Sequence, residues 1–269
     1  MNKAAPSAAL LEQFGCRSSW SRTLDVLSHD GLSHRWHLLD RPGTGSLAPT
    51  VLCLHGNPTW SFLWSRLLNE LDPSMRVIAP DHLSMGWSER VGPRRYADRV
   101  RDIADLLRAL DVNGPVWIVA QDWGGAIAMG VAAHHPELVA GLVLSNTGIA
   151  VPEGRRAPWL IRLAASNGVH RFVTRTTPVF LRGTARLPGR GLTRAQRRGL
   201  ALPYATAADR EGIAGFVADV PFDHSYPSAG DLAAVADLLP SLRIPVRLVW
   251  GSLDPVFNDD FAEDLRAAT

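Results

Sequence analysis

The sequence predicts an α/β fold: a mostly parallel central sheet, helices on both faces, and a helical insertion. Three observations carry this. Short β-rich runs alternate with helical patterns over the first 150 residues. The alternation stops near Val151 and resumes at Val246–Trp250. The chain has 269 residues, 46% hydrophobic and 20% charged, which suits one large core and excludes a collagen, a coiled coil or a disordered tail protein.

Arg22–Leu27 and Arg35–Leu39 read as strands, the second stopped by Asp40-Arg41-Pro42-Gly43. Val51–His55 is a mostly apolar run ending at Gly56, as expected for a strand buried on both faces. Trp60–Leu71 reads as a helix and Arg76–Ala79 as a strand stopped by Pro80-Asp81. Tyr96–Leu110 is an amphipathic helix with Val100, Ile103, Leu107 and Leu110 on one face. Asn113-Gly114-Pro115 turns the chain into the strand Val116–Ala120. The small-residue helix Trp123–Ala133 and the strand Leu142–Ser145 follow.

Beyond Val151 the patterns are helical: Pro158–Ser166, His170–Thr177, Arg194–Leu202 and Arg210–Val220. We therefore divide the chain into core residues 1–150, a helical cap at 151–232, and a second core part at 233–269. Residues 151–200 hold eleven arginines and one acid, Glu153. That charge reads either as a solvated basic face or as an attraction for an acidic partner or anionic ligand.

The net charge is +2, which gives no global pull toward nucleic acid or a membrane surface. Lys3 is the only lysine among 28 cationic residues. Two cysteines, Cys16 and Cys53, fit a reducing compartment rather than a disulfide scaffold. The apolar stretch Ala8–Leu11 is too short for a secretory h-region, and no run reaches the roughly 20 residues of a membrane span. A cytoplasmic location is the expectation. No set of metal ligands at suitable spacing and no glycine-rich phosphate loop is visible, so no metal or cofactor is expected.

The strongest chemical signal is Val119-Ala120-Gln121-Asp122-Trp123-Gly124-Gly125, where the fifth strand turns into a helix. Small-x-nucleophile-x-small is the nucleophile elbow of the α/β-hydrolase fold. Serine usually holds the central place; here it is Asp122. A carboxylate is nucleophilic without a base, so Asp122 can attack an sp3 carbon and form an alkyl-aspartyl ester. A general base would then activate water to cleave the ester. The plainer alternative is that Asp122 only caps the helix.

The second signal is Leu54-His55-Gly56-Asn57-Pro58-Thr59-Trp60, directly after the third strand. In this fold that loop supplies a backbone N–H to the oxyanion pocket, beside the N–H of Trp123. The Asn57 amide and the Trp123 indole add two donors suited to a leaving anion. The alternative is a turn-favouring Asn before Pro and a core Trp.

The stretches His55-Gly56-Asn57-Pro58-Thr59-Trp60-Ser61 and Asp122-Trp123-Gly124-Gly125 resemble the haloalkane dehalogenase family of α/β-hydrolases. Pro80-Asp81-His82 and Met85-Gly86-Trp87-Ser88 are similar to that family's loop after the fourth strand. The resemblance implies Asp122 as nucleophile and Asn57 and Trp123 as leaving-anion donors. Gln121 departs from it, since relatives often have His there. The resemblance also places a triad acid at Asp254, in Gly251-Ser252-Leu253-Asp254-Pro255; an Asx-type turn before Pro is the alternative.

The triad order in this fold is nucleophile, acid, histidine. No histidine follows Asp254; the last of nine is His224. His55 belongs to the oxyanion loop, His82 has no orienting acid in view, and His134 and His135 end a helix. The expectation is a chain cut within the hydrolase core, lacking its last strand and helix, and poor at turnover.

Three chemistries fit an aspartate nucleophile. Epoxide hydrolases use two cap tyrosines, and this insertion offers only Tyr204 and Tyr226. Haloalkane dehalogenases use the Asn-plus-Trp pair to hold halide. The third is the β-lactone decarboxylase of long-chain olefin biosynthesis, which the sequence resembles more closely at Arg35–Asp40, Met85–Arg90, Ala97–Asp102 and Phe216–Pro221. That resemblance implies a cis-β-lactone opened by Asp122 to give an alkene, with a fused or associated β-lactone synthetase as partner. Trp159, Leu160, Phe172, Phe180 and Phe216 are apolar enough to line a tunnel for a small hydrophobic substrate or simply to form the insertion's core. An inactive fragment or binding module is the non-enzymatic alternative.

Overall fold

A computed structural model of the chain describes residues 4–45, 48–150, 169–186, 191–222 and 226–269. Seven strands form one sheet: β1 (Ser21–Leu27), β2 (Ser33–Arg41), β3 (Thr50–Leu54), β4 (Arg76–Pro80), β5 (Val116–Gln121), β6 (Val139–Ser145) and β7 (Val246–Leu248). Their order is β1-β2-β4-β3-β5-β6-β7. β1/β2 and β2/β4 are antiparallel, and every other pair is parallel. All five residues of β3 are buried, as a central strand covered on both faces requires.

Nine α-helices occur among the described residues. They are α1 (Ala8–Gln13), α2 (Ser65–Glu70), α3 (Tyr96–Ala109), α4 (Trp123–His134), α5 (Val179–Thr184), α6 (Arg194–Ala201), α7 (Glu211–Ala218), α8 (Ala229–Leu238) and α9 (Asp259–Ala268). α4 is made of small residues because α3 lies so close. A Cβ at Gly130 would come within 2.5 Å of Val100 Cγ2, and Tyr96 Oη donates to Ala126 O at 2.8 Å. This close approach fixes the helix that carries the elbow.

Several elements differ from the sequence reading. Trp60–Leu71 is not one helix; a 3-10 turn at Ser61–Trp64 precedes α2. Tertiary bonds claim its start: Ser61 N donates to Asp81 Oδ1 at 2.7 Å and Trp60 Nε1 to Gly199 O at 3.0 Å. His170–Thr177 contains a π-helical turn, Phe172–Thr176. α1, α5 and α8 were not foreseen. Ala8–Leu11 had been weighed only for its apolarity, yet Ser7 Oγ caps a helix there by accepting from Leu10 N at 3.3 Å. The expected helix Pro158–Ser166, and with it Trp159, Leu160 and His224, lies outside the described residues.

Candidate active site

The site sits at the carboxyl ends of β3, β5, β6 and β7, the edge of an α/β sheet where ligands bind. Asp122 follows β5 with φ 55° and ψ −129°, a conformation that non-glycine residues rarely adopt. The surroundings over-determine it. Asp122 N donates to Asn146 O at 3.0 Å, and Asp122 O accepts from Thr147 Oγ1 at 2.6 Å and Gly125 N at 2.9 Å. Gly124 is required next to it, because a Cβ there would lie 2.3 Å from Leu54 O. Gly56 is equally constrained: its Cβ would come 2.3 Å from the Asp122 side chain.

The Asp122 side chain makes no helix-capping hydrogen bond. Its carboxylate accepts instead from Asn57 N at 2.7 Å and from the Trp123 backbone N–H. The two backbone donors expected to form an open oxyanion pocket therefore hold the Asp122 carboxylate. Burial pushes the Asp122 carboxyl up to about 7; those two N–H groups pull it down, and the nearby Asp254 charge pushes it up. A free aspartate is ionised at neutral pH; inside this wall Asp122 is near its midpoint there.

The Asn57 side chain is set by the helical insertion, its Nδ2 donating to Ile213 O at 3.3 Å. Trp123 lines the cavity. Phe216 packs behind it, ring centroids 5.6 Å apart. The cavity, about 120 Å³, has Asn57, Asp122 and Trp123 as its polar members. Ile149, Phe180, Val217, Pro221, Leu232 and Phe257 supply much of its apolar wall. Of the residues expected to line it, Phe180 does, Phe216 stands one layer back, and Phe172 is exposed to solvent.

Asp254 lies in the loop after β7. Its Oδ1 accepts from Val256 N at 2.7 Å and Phe257 N at 3.1 Å, so the Asx-type turn is present and aims Phe257 into the cavity wall. Asn146, just after β6, lies in none of the motifs that the sequence singles out. Its Oδ1 accepts from Gly251 N at 2.9 Å, and its Nδ2 donates to Gly251 O at 3.0 Å and Phe257 O at 3.3 Å. With Asp122 N on its carbonyl, Asn146 ties the elbow to the Asp254 loop.

Both nearby histidines are tied into the loop after β3. His55 Nδ1 bonds Gly56 O at 2.9 Å, and His55 Nε2 accepts from His82 N at 3.1 Å. His82 Nε2 bonds His55 O at 2.9 Å. The cap tyrosines do not reach the cavity. Tyr204 Oη donates to Thr59 O at 2.6 Å and accepts from Gly86 N at 3.0 Å, while Tyr226 packs on Phe222. This removes the epoxide reading's required donors. Among the described residues no group of three His, Cys, Asp or Glu could hold a metal ion. No helix there is long and apolar enough to cross a membrane.

A family profile described as the alpha/beta hydrolase fold matches residues 49–269. A cis-3-alkyl-4-alkyloxetan-2-one decarboxylase of Xanthomonas campestris is 32% identical over 92% of this chain and 84% of its own. The chain belongs to the α/β-hydrolases, in their haloalkane dehalogenase-like branch. A haloalkane dehalogenase of Mycobacterium marinum is 29% identical over 87% of this hydrolase and 78% of its own length. The crystal structure of a haloalkane dehalogenase from Bradyrhizobium elkani superimposes with a TM-score of 0.79 at 25% identity, covering 92% of this hydrolase and 86% of that chain.

Proposed function

We propose that this hydrolase uses Asp122 as an oxygen nucleophile that attacks a carbon of a hydrophobic substrate, and that the substrate is a cis-β-lactone. The observation that carries the reading is a strained carboxylate, held by two backbone N–H groups, at the polar end of an otherwise apolar cavity. The 32% identity to an oxetanone decarboxylase supports the lactone over a haloalkane.

One Asp122 oxygen attacks the ring carbon bearing the lactone oxygen. The carbon–oxygen bond breaks, and its electron pair stays on what becomes a free carboxylate, held by the Asn57 amide and Trp123 indole. Loss of carbon dioxide then returns electrons to form the alkene, and the ester oxygen leaves as the Asp122 carboxylate. The sum is lactone to alkene plus carbon dioxide, and water takes no part. Asp254 would keep the triad-acid role, and its charge faces Asp122. A β-lactone synthetase, fused or separate, is the class of enzyme that would supply the substrate.

A second reading, haloalkane hydrolysis, is favoured by the cavity's small volume. The two separate on products. Incubation with a cis-β-lactone should give alkene, followed by gas chromatography, in amounts that track enzyme. Halide release from a haloalkane with no alkene from any cis-β-lactone would overturn the lactone reading.

A further inference from the structure

Two of the stretches that resemble the lactone decarboxylases, Ala97–Asp102 and Phe216–Pro221, lie about 120 residues apart in sequence and meet inside the protein. Arg99, on the buried face of α3, donates from Nη1 to Asp219 Oδ2 at 2.8 Å. Asp219, just past α7, is fully buried and also accepts from Ser228 Oγ at 2.6 Å and Arg95 Nη1 at 3.2 Å. Burying a guanidinium carries a desolvation cost that an apolar side chain of similar volume would not. Packing alone gives no reason for a cation here.

The position of the charge suggests one. Arg99 Cζ stands 3.9 Å over the centre of the Phe216 ring and 5.8 Å from that of Trp123. Phe216 and Trp123 themselves form a tilted pair. A guanidinium thus stands against the same aromatic pair whose Trp123 lines the cavity. A cation on that side attracts negative charge developing in the cavity and draws density from the indole, which strengthens its N–H as a donor. Burial lowers the Arg99 pKa to about 10 against the pull of Asp219, so the group stays charged at neutral pH.

We infer that Arg99 is a positioning residue for the leaving anion: held by Asp219, it places a fixed positive charge behind Trp123 and so raises the cavity's affinity for a monoanion, carboxylate or halide. The inference rests on reading Trp123 as a leaving-anion donor. Asp219 has the opposite electrostatic effect, because it offsets the same charge.

That opposition gives the test. Bromide is titrated into the protein and followed by tryptophan fluorescence, with Trp123→Phe as the background. Arg99→Met should weaken bromide binding about tenfold, the size expected for one unit charge across a partly buried distance. Arg99→Lys should restore most of it. Asp219→Asn should tighten binding a few fold. Both Arg99→Met and Asp219→Asn remove half of a buried pair, so both should lower the melting temperature. A structural pair would move bromide affinity in the same direction in both variants, and that result overturns the inference. If Arg99→Met fails to fold, Asp219→Asn decides alone: tighter binding supports the inference and weaker binding overturns it. Saturable wild-type binding that survives Trp123→Phe would instead overturn the donor reading, and this inference with it.

Discussion

Asp81 follows β4 and Asp122 follows β5, on either side of the central strand β3, and both carboxyls lie inside the protein. Asp81 is surrounded by donors. Ser61 N and Trp87 N each reach it at 2.7 Å, and His37 Nδ1 at 2.9 Å, with Ser21 Oγ closing the relay on His37 Nε2 at 3.0 Å. Burial alone would raise its pKa, but the His37 charge and hydrogen bond, with His55 and the Trp87 N–H, hold it below the usual carboxylate range. Asp122 receives two backbone N–H groups and no cation, faces Asp254, and rises to about 7. The same functional group is held ionised where its charge is fully answered, and is left titrating near neutral pH where it is only partly answered.

The comparison can be broken most completely at Asp122. Asp122→Asn should abolish the covalent adduct seen by intact mass with either substrate class. It should also stabilise the protein. A carboxyl whose folded pKa lies above its unfolded value destabilises the fold as pH rises from about 4 to about 7. Above pH 7, urea unfolding should show Asp122→Asn more stable by on the order of 2–4 kcal/mol, a difference that vanishes below pH 4. Asp81→Asn should do the reverse, costing about 3–5 kcal/mol at neutral pH because His37 loses its buried partner. Its folded pKa is depressed, so that cost should shrink as acid protonates wild-type Asp81.

Gly124→Ala should be milder, about 1–3 kcal/mol by thermal unfolding, as Leu54 O and the loop after β3 shift to admit the methyl. The same shift should slow adduct formation, since Asn57 N–H moves with that loop. The smallest effect sharpens the comparison. The rate of adduct formation should rise tenfold per pH unit below about 7 and level off above it. Asp254→Asn removes the charge that faces Asp122, so the whole profile should move toward lower pH by less than one unit. A profile unmoved, or moved upward, would separate Asp254 from the nucleophile.

The strands and the elbow were legible because they are written locally. β3 is an unbroken apolar run, and small residues flank Asp122 where a tight turn demands them. What the sequence hid is set by distant partners. Nothing near Trp60 announces that Asp81 will claim the Ser61 N–H and tighten the first turn of a helix. The role of Asn146 as a bridge depends on Gly251, 105 residues away. The raised pKa of Asp122 comes from its burial, only partly offset by two N–H donors, and only the packed loops determine both. Arg99 and Asp219 were noticed as parts of resembling stretches, yet their meeting behind Trp123 is a tertiary fact.

The bond from Asn57 N–H to Asp122 Oδ1, with Gly56 pressed against the same side chain, fixes how the carboxylate is turned. It cannot spin to meet a substrate from several sides. Displacement at carbon proceeds from the face opposite the departing group, so a fixed line of approach translates into chirality. A secondary carbon should be inverted with a single sense, and the mirror-image substrate would have to present its carbon along the same line while its substituents met different walls. The hydrolase should therefore tell enantiomers apart through the orientation of its nucleophile as well as through the shape of its cavity.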